Sequence, residues 1–481
     1  MPRMQMRDMV ILLPGIMGSV LQKDDRDLWA ISGQAALTAL GSMGSSLEEL
    51  ELGEDDPEVD DLGDSIHATR LMPDAHIVPG LWKIDGYSTT SEFLTRYLGF
   101  ERGSVSQEGP ANFFEFPYDW RRDNRVAARQ LKRFIDQRLP LWRESNNVAD
   151  AKVILLAHSM GGLVARYYLE VFEGWRECKA LITFGTPYRG SVNAINFLAN
   201  GYKKLFLDLT ELLRSFTSVY QLMPIYKVLD VNGEFQRVAE TDDIPGVHRG
   251  RAEQALAFHR EIEAAVNEHK DDALYQRLYR TIPVVGTHQL GLQSAKLSGG
   301  NLTASRSLPT WIDSRLDGGD GTVPRLSATP IELSQEFRES FIAERHGSLQ
   351  NNRQVLSDLG ERLKQMQTSD LSTIRGARTS RAAEERPAIS LDLDDLYLAD
   401  EPIVLRAKLV NMSAHDGPPS VRIEPVAEER APIEGKFRQD EDGWTFRLEE
   451  LAPGPYRVEV WTRAAGRRDP TSVHDLFEVG K

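Results

Sequence analysis

The stretch Lys152-Val153-Ile154-Leu155-Leu156-Ala157-His158-Ser159-Met160-Gly161-Gly162-Leu163-Val164-Ala165-Arg166-Tyr167-Tyr168-Leu169 constrains this chain more than any other. Val153 to Leu156 is a compact apolar run, the pattern of a strand buried on both faces. Small residues interrupt it, after which Met160, Leu163, Val164, Tyr167, Tyr168 and Val171 recur at helical spacing. The spacing predicts a strand, a sharp turn and a helix, with Ser159 at the turn. A serine presented in this way sits in a strained backbone conformation that only small residues two before and two after it permit. Ala157 and Gly161 occupy those positions, with alanine where glycine is usual. A serine that merely caps the following helix accounts less well for the Gly161-Gly162 pair and for the helix register. The rest of the chain must then supply a base, an acid and hydrogen-bond donors for an oxyanion.

Strand-like and helix-like stretches alternate on either side of this bend. Met9-Val10-Ile11-Leu12-Leu13 reads as a first buried strand and runs at once into Pro14-Gly15-Ile16-Met17-Gly18-Ser19. Asn112-Phe113-Phe114-Glu115-Phe116 is another, followed by the turn Pro117-Tyr118-Asp119-Trp120-Arg121. Asp123 or Asn124 caps a helix with Val126, Leu131, Phe134, Ile135 and Leu139 on its inner side. Leu181 to Phe184, Ile282 to Gly286 and Phe341-Ile342 read as further strands, and a helix around Val355 to Met366 closes the unit. This alternation predicts an α/β class protein with a mainly parallel sheet, and with the bend at Ser159 it predicts the α/β-hydrolase fold. From Phe197 to about Arg280 the strand pattern disappears. Leu205 to Met223 is an apolar helical stripe and Arg251 to Glu268 a further helix, expected to form a cap above the sheet and a place for an acyl-chain tunnel. Leu81 and Trp82, beside a turn, read as an exposed lipid contact or as buried packing, the commoner fate of such a pair.

A chain of 481 residues exceeds what one hydrophobic core normally serves. The expected division is an α/β unit over 1–368 with its cap insertion at about 197–280, a linker over 369–387 and an all-β unit over 388–481. The linker is rich in Ser, Arg, Ala and Glu without apolar periodicity. Beyond it, short strand-like runs separated by Pro and Gly turns read as an immunoglobulin-like sandwich. A net charge of -15 argues against nonspecific binding to nucleic acid and against broad attraction to anionic membranes. The single Cys178 excludes an internal disulfide and suits a reducing compartment. Met1 to Asp8 is basic, but Met9 to Leu13 is too short for a signal-peptide core, so a cytoplasmic protein is expected.

A serine hydroxyl is a weak nucleophile at neutral pH and needs a histidine to take its proton and a carboxylate to orient that histidine. In this fold the order along the chain is serine, acid, histidine. Beyond Asp320 the histidines are His346, His415 and His474, and the last two fall in the β-unit, which leaves His346 as the base. Asp313, Asp317 and Asp320 compete as the acid. Asp320 is favoured because Gly321-Thr322-Val323 follows in a tight turn that can aim the carboxylate, with Asp317 the fallback. The backbone N–H groups of Ile16, after the first strand, and of Met160, after the serine, are the expected oxyanion donors. An ordinary Pro-Gly turn is the other reading of the Ile16 segment. His158 reads as a packed or hydrogen-bonded neighbour of the serine rather than a second base.

Pro14-Gly15-Ile16-Met17-Gly18-Ser19, Pro117-Tyr118-Asp119-Trp120-Arg121, Ala157-His158-Ser159-Met160-Gly161, Gly185-Thr186-Pro187 and Gly319-Asp320-Gly321-Thr322-Val323-Pro324 occur in that order and end in His346. Together they resemble the lecithin:cholesterol acyltransferase family, over roughly Met9 to Gln367. The resemblance implies Ser159 as acyl-accepting nucleophile, Asp320 and His346 as its partners, and Ile16 and Met160 as oxyanion donors. It implies no metal and no organic cofactor. The implied activity is serine-dependent O-acyl transfer or lipolysis on glycerolipid esters through an acyl-serine, with a lipid ester as partner at a membrane surface. The chain departs from secreted members of that family in lacking their disulfide cysteines and a signal peptide. The β-unit lies outside the resemblance, holds no catalytic set and is expected to dock a protein partner. Two rival readings are a carboxylesterase or amidase acting on a non-lipid substrate, and a non-catalytic binding or sensing protein.

Overall fold

The computed structural model describes residues 6–480 apart from 30–47, 74, 80–81, 107–108, 205–206, 334–339, 369–385, 413–415, 427–429, 442 and 465–468. Its centre is a six-stranded sheet in the order Ser340–Ile342, Arg280–Gly286, Cys178–Phe184, Val153–His158, Met9–Leu13, Phe113–Glu115. Every pairing in it is parallel. All residues of Met9–Leu13 and Val153–His158 are buried, as the middle of a parallel sheet covered on both faces requires. Asp123 is the N-cap of the helix Asn124–Asn146, its side chain accepting from the N–H of Arg125. The helices Gly161–Glu170 and Arg353–Thr368 follow the third and the last strand of this sheet in chain order. This is the α/β-hydrolase arrangement, with the bend at Ser159 between a central strand and its helix.

The region over the sheet differs from the strand-free cap expected between 197 and 280. Helices Val192–Asn200, Thr210–Ser215, Thr217–Gln221 and Arg249–His269 are present. Between them, however, Leu229–Val231 and Glu234–Gln236 form a hairpin, which pairs in turn with Ser294–Ser298 and Asn301–Ser305 in a four-stranded sheet. Both hairpins close on two residues with positive φ, Asn232-Gly233 at 55° and 91° and Gly299-Gly300 at 58° and 75°. Such pairs specify tight primed turns, and here they outweigh the short, weakly apolar strands. Of the stripe read across Leu205 to Met223, Leu205 lies outside the described residues, and the rest is broken at Phe216, where ψ of 122° ends one short helix and starts another. A second small sheet, Ser19–Lys23 with Arg26–Trp29 and Ile66–Leu71, lies beside the first strand. Trp82 is buried on the short strand Trp82–Ile84, and Leu81 lies outside the described residues.

At the C-terminal end two sheets face each other, one of four strands and one of five. Ile389, Leu405, Val421, Val458 and Phe477 are fully buried between them. Of the expected linker, residues 369–385 lie outside the described residues. The sandwich is fastened to the α/β unit by specific polar contacts: Gln289 Nε2 donates to the Ile389 carbonyl at 2.9 Å, and Leu391 N–H returns a bond to Gln289 Oε1 at 3.1 Å. Among the described residues no helix is long and apolar enough to cross a membrane.

Candidate active site

Ser159 has φ of 51°, the strained conformation expected of the bend. The close packing around it explains its small neighbours. A methyl group on Gly161 would meet the Pro14 carbonyl oxygen at 2.4 Å, and one on Gly15 would meet Ser159 Cβ at 2.8 Å. Ala157 pairs in the sheet with Leu13 and Thr183, and its methyl is accommodated there with no exposure. Thr186, from the loop after the next strand, donates its hydroxyl to the Ser159 carbonyl at 2.9 Å and holds the bend from the far side.

The structure brings Ser159, His346 and Asp320 into one hydrogen-bonded line. Ser159 Oγ lies 2.9 Å from His346 Nε2, and His346 Nδ1 lies 2.7 Å from Asp320 Oδ2. The other carboxylate oxygen of Asp320 accepts from the backbone N–H groups of Thr322 and Val323 at 2.9 and 2.7 Å, so the tight turn fixes its aim. The Asp320 carbonyl also accepts from His346 N–H at 2.9 Å, which joins the two loops by their backbones. With Asp320 accepting at Nδ1, the imidazole carries its proton there and leaves Nε2 free to take the serine proton. The rival acids are engaged elsewhere. Asp313 caps a short helical turn and binds Arg315, and Asp317 accepts from Gln293 Nε2 at 2.6 Å.

The two expected oxyanion donors come from separate segments, Ile16 from the loop after Met9–Leu13 and Met160 from the bend itself. Met160 directly precedes the helix Gly161–Glu170, so its N–H lies at the positive end of the helix. Ile16 and Met17 line a cavity together with Ser159. The Pro-Tyr-Asp-Trp-Arg segment turns out to brace the Ile16 loop: Tyr118 Oη donates to the Pro14 carbonyl at 2.9 Å and Trp120 Nε1 to the Ser19 carbonyl at 2.9 Å. Arg121, fully buried, is neutralised by Asp119 and Asp64 at 2.6 and 2.9 Å.

His158 is a hydrogen-bonded neighbour of the serine, held neutral: burial, reinforced by nearby His346, pushes its pKa down to about 3. Its Nε2 lies 3.0 Å from the His346 carbonyl and its Nδ1 3.0 Å from Tyr87 Oη, while Tyr87 Oη accepts from Gly15 N–H at 2.8 Å. Tyr87 escaped the sequence reading, because nothing around it repeats and its role depends on a contact 71 residues away.

Ser159, Asp320 and His346 are 4%, 1% and 3% exposed, so a substrate must arrive through cavities. One, of about 60 Å³, is apolar and runs from Ser159 past Ile16, Ala194, Phe197, Leu213 and Val219. A second, of about 550 Å³, is lined by His346, Asp320 and many charged side chains. Among the described residues no group of three or more His, Cys, Asp or Glu is arranged to hold a metal ion.

Comparison with known proteins gives the following likenesses. Residues 103–261 match the model of the family described as lecithin:cholesterol acyltransferase. The phosphatidylcholine-sterol acyltransferase of Gallus gallus is 31% identical over 88 residues, 18% of this chain and 20% of that one. The lysosomal phospholipase A and acyltransferase of Homo sapiens is 29% identical over 119 residues, 22% of this chain and 27% of that one. The matched stretches thus span about a quarter or less of these relatives. Among solved structures, the Bacillus licheniformis lipase BlEst2 in mature form matches 74% of this chain and 92% of its own at 12% identity, with a TM-score of 0.30.

Proposed function

We propose that this chain, whose residues 103–261 match the lecithin:cholesterol acyltransferase family, is a serine-dependent lipase or O-acyltransferase acting on glycerolipid esters. The observation that carries the proposal is the line Ser159–His346–Asp320, with an apolar cavity opening at its serine end. In this reading His346 Nε2 takes the hydroxyl proton as Ser159 Oγ attacks the ester carbonyl. Asp320 keeps the imidazole oriented and stabilises the cation it becomes. The N–H groups of Ile16 and Met160 receive the oxyanion, each worth about 2.7–4 kcal/mol of transition-state stabilisation. The acyl chain lies in the apolar cavity beneath Phe197, Leu213 and Val219. Water or a second alcohol then takes the acyl group from the serine, giving hydrolysis or transfer.

The test is Ser159→Ala measured on phospholipid micelles. Fatty-acid release is expected to fall by at least about a thousandfold with the melting temperature preserved. Release at the parental rate would remove the proposal. A short-chain optimum on p-nitrophenyl esters would instead favour a non-lipid carboxylesterase.

A further inference from the structure

We infer that the C-terminal sandwich walls the pocket that receives the alcohol half of the ester, and that this alcohol is polar and headgroup-like rather than a sterol. The inference rests on the serine-esterase reading above and adds the side on which each half of the substrate lies. Trp82, Asn193 and Thr322 line both cavities and form the partition between them. On one side of it the apolar cavity reaches Ser159; on the other the 550 Å³ cavity reaches His346 and Asp320.

Proton bookkeeping fixes which half goes where. In acylation the bond from Ser159 Oγ to the acyl carbon forms and the bond from that carbon to the alkoxy oxygen breaks. The serine proton passes through His346 Nε2 to the departing oxygen, so the alcohol leaves on the histidine side. In the second half an incoming alcohol gives its proton to His346 while its oxygen bonds the acyl carbon. The ester bond to Ser159 breaks and Oγ regains a proton. Both alcohols therefore use the cavity at His346.

That cavity is built by both parts of the chain. The α/β unit gives Lys83, Arg306 and Arg345, and the sandwich gives residues 392–396 and Asp475. Lys83 and Arg345 bind Asp475 at 2.6 and 2.8 Å, and Arg306 lies 3.8 Å from Asp392. A sterol offers one hydroxyl on a rigid apolar body. Seating it here strips water from ions of both signs and returns almost no polar contact. A zwitterionic or polyol headgroup meets both signs, and the volume matches small-molecule sites in general.

The experiment compares 1-palmitoyl lysophosphatidylcholine with methyl palmitate, which share an acyl chain and differ in the alcohol, on the full chain and on Asp394→Trp. Asp394 lines the cavity from the sandwich side and is solvent-exposed, and a thermal melt checks that the variant folds. Expected is a fall of at least about fivefold in the ratio of kcat/KM for the lysolipid over the methyl ester, with the acyl chain-length optimum unmoved. A smaller change in the ratio, or a moved chain-length optimum, overturns the inference. With labelled phospholipid as donor, acyl transfer to glycerol or lysolipid is expected to exceed transfer to cholesterol, and the reverse overturns it as well. If the parental protein neither cleaves methyl palmitate nor takes up a fluorophosphonate at Ser159, the esterase reading itself has failed.

Discussion

Glu344, fully buried two residues before His346, accepts from both the backbone N–H and the ring Nδ1 of His474, each at 2.8 Å. Asn352 Nδ2 at 2.7 Å and Arg345 N–H at 2.9 Å complete its shell. The next residue repeats the pattern, Arg345 Nε binding Asp475 at 2.8 Å. Two consecutive residues of the sandwich strand Val473–Val479 thus clamp the two residues that deliver His346 to the serine.

Removing one end of this clamp is expected to disturb the histidine more than the fold. His474→Leu leaves the Glu344 carboxylate buried without its ring donor, and uncoupling a buried pair costs about 3–5 kcal/mol. The cost here falls at the low end, because the His474 side chain is 22% exposed and Glu344 keeps other donors. Ester turnover is expected to lose about tenfold in kcat with KM nearly unchanged, since the loss is one of proton-transfer geometry. His474→Asn places an amide nitrogen near the position of Nδ1 and is expected to recover most of it. Equal losses in both variants, tracking the amount of folded protein, would make the contact structural only.

The same pair gives stability a definite dependence on pH. Burial opposes the charge on His474, but Glu344 and then Glu459 outweigh it and raise the pKa to about 10 from 6.5; Asp85 adds a further negative charge nearby. A raised value means the folded state holds the proton more tightly. Its contribution is whole below pH 6.5 and is lost as pH climbs towards 10. Asp475 acts oppositely: Arg345 and Lys83 overcome its burial and hold its carboxyl below the usual 3.8, so its contribution fades on acidification. The melting temperature is expected to decline between neutrality and pH 10 in the parental chain. The decline should flatten in His474→Asn, which has no proton to lose there.

The residues that meet at the site were legible because each is announced by its immediate neighbours and by chain order. Ser159 sits between small residues, Asp320 opens a glycine turn, and His346 is what remains beyond it. The clamp was not legible, since it depends on side chains 130 residues apart whose local sequence is that of an ordinary strand. The small sheets were missed for a related reason. Ile66–Leu71 alternates irregularly between buried and exposed, and Leu229–Val231 is only three residues long, so neither carries a period. There the turns were the stronger signal, Asn232-Gly233 above all.

Gly185 is a second place where a small change should reach the reacting groups. It has φ of 59°, and a methyl group there would lie 2.7 Å from Asp320 Oδ2 and 2.9 Å from His346 Nδ1. Gly185→Ala therefore combines an unfavourable backbone conformation with a clash against the hydrogen bond that orients the imidazole. We expect kcat on a p-nitrophenyl ester to drop by about a hundredfold or more, with labelling of Ser159 by a fluorophosphonate slowed in proportion. Parental labelling kinetics would show that the Asp320–His346 contact can shift without consequence.

Tyr87 links the loop before Ile16 to the loop bearing His346, and its hydroxyl is the only part needed for that. The His346 carbonyl can only accept, so His158 carries its proton on Nε2 and its Nδ1 takes the proton of Tyr87 Oη. Tyr87 Oη in turn accepts from Gly15 N–H. Tyr87→Phe removes one oxygen and strands two buried partners, each at about 1–3 kcal/mol. A lower melting temperature is expected, together with a fall in kcat as the Ile16 N–H loses its fixed aim. Because burial holds His158 near a pKa of 3, the acid limb of the pH–rate profile should be the same in Tyr87→Phe and the parental chain. An acid limb displaced by the substitution would mean that His158 itself titrates in the working range.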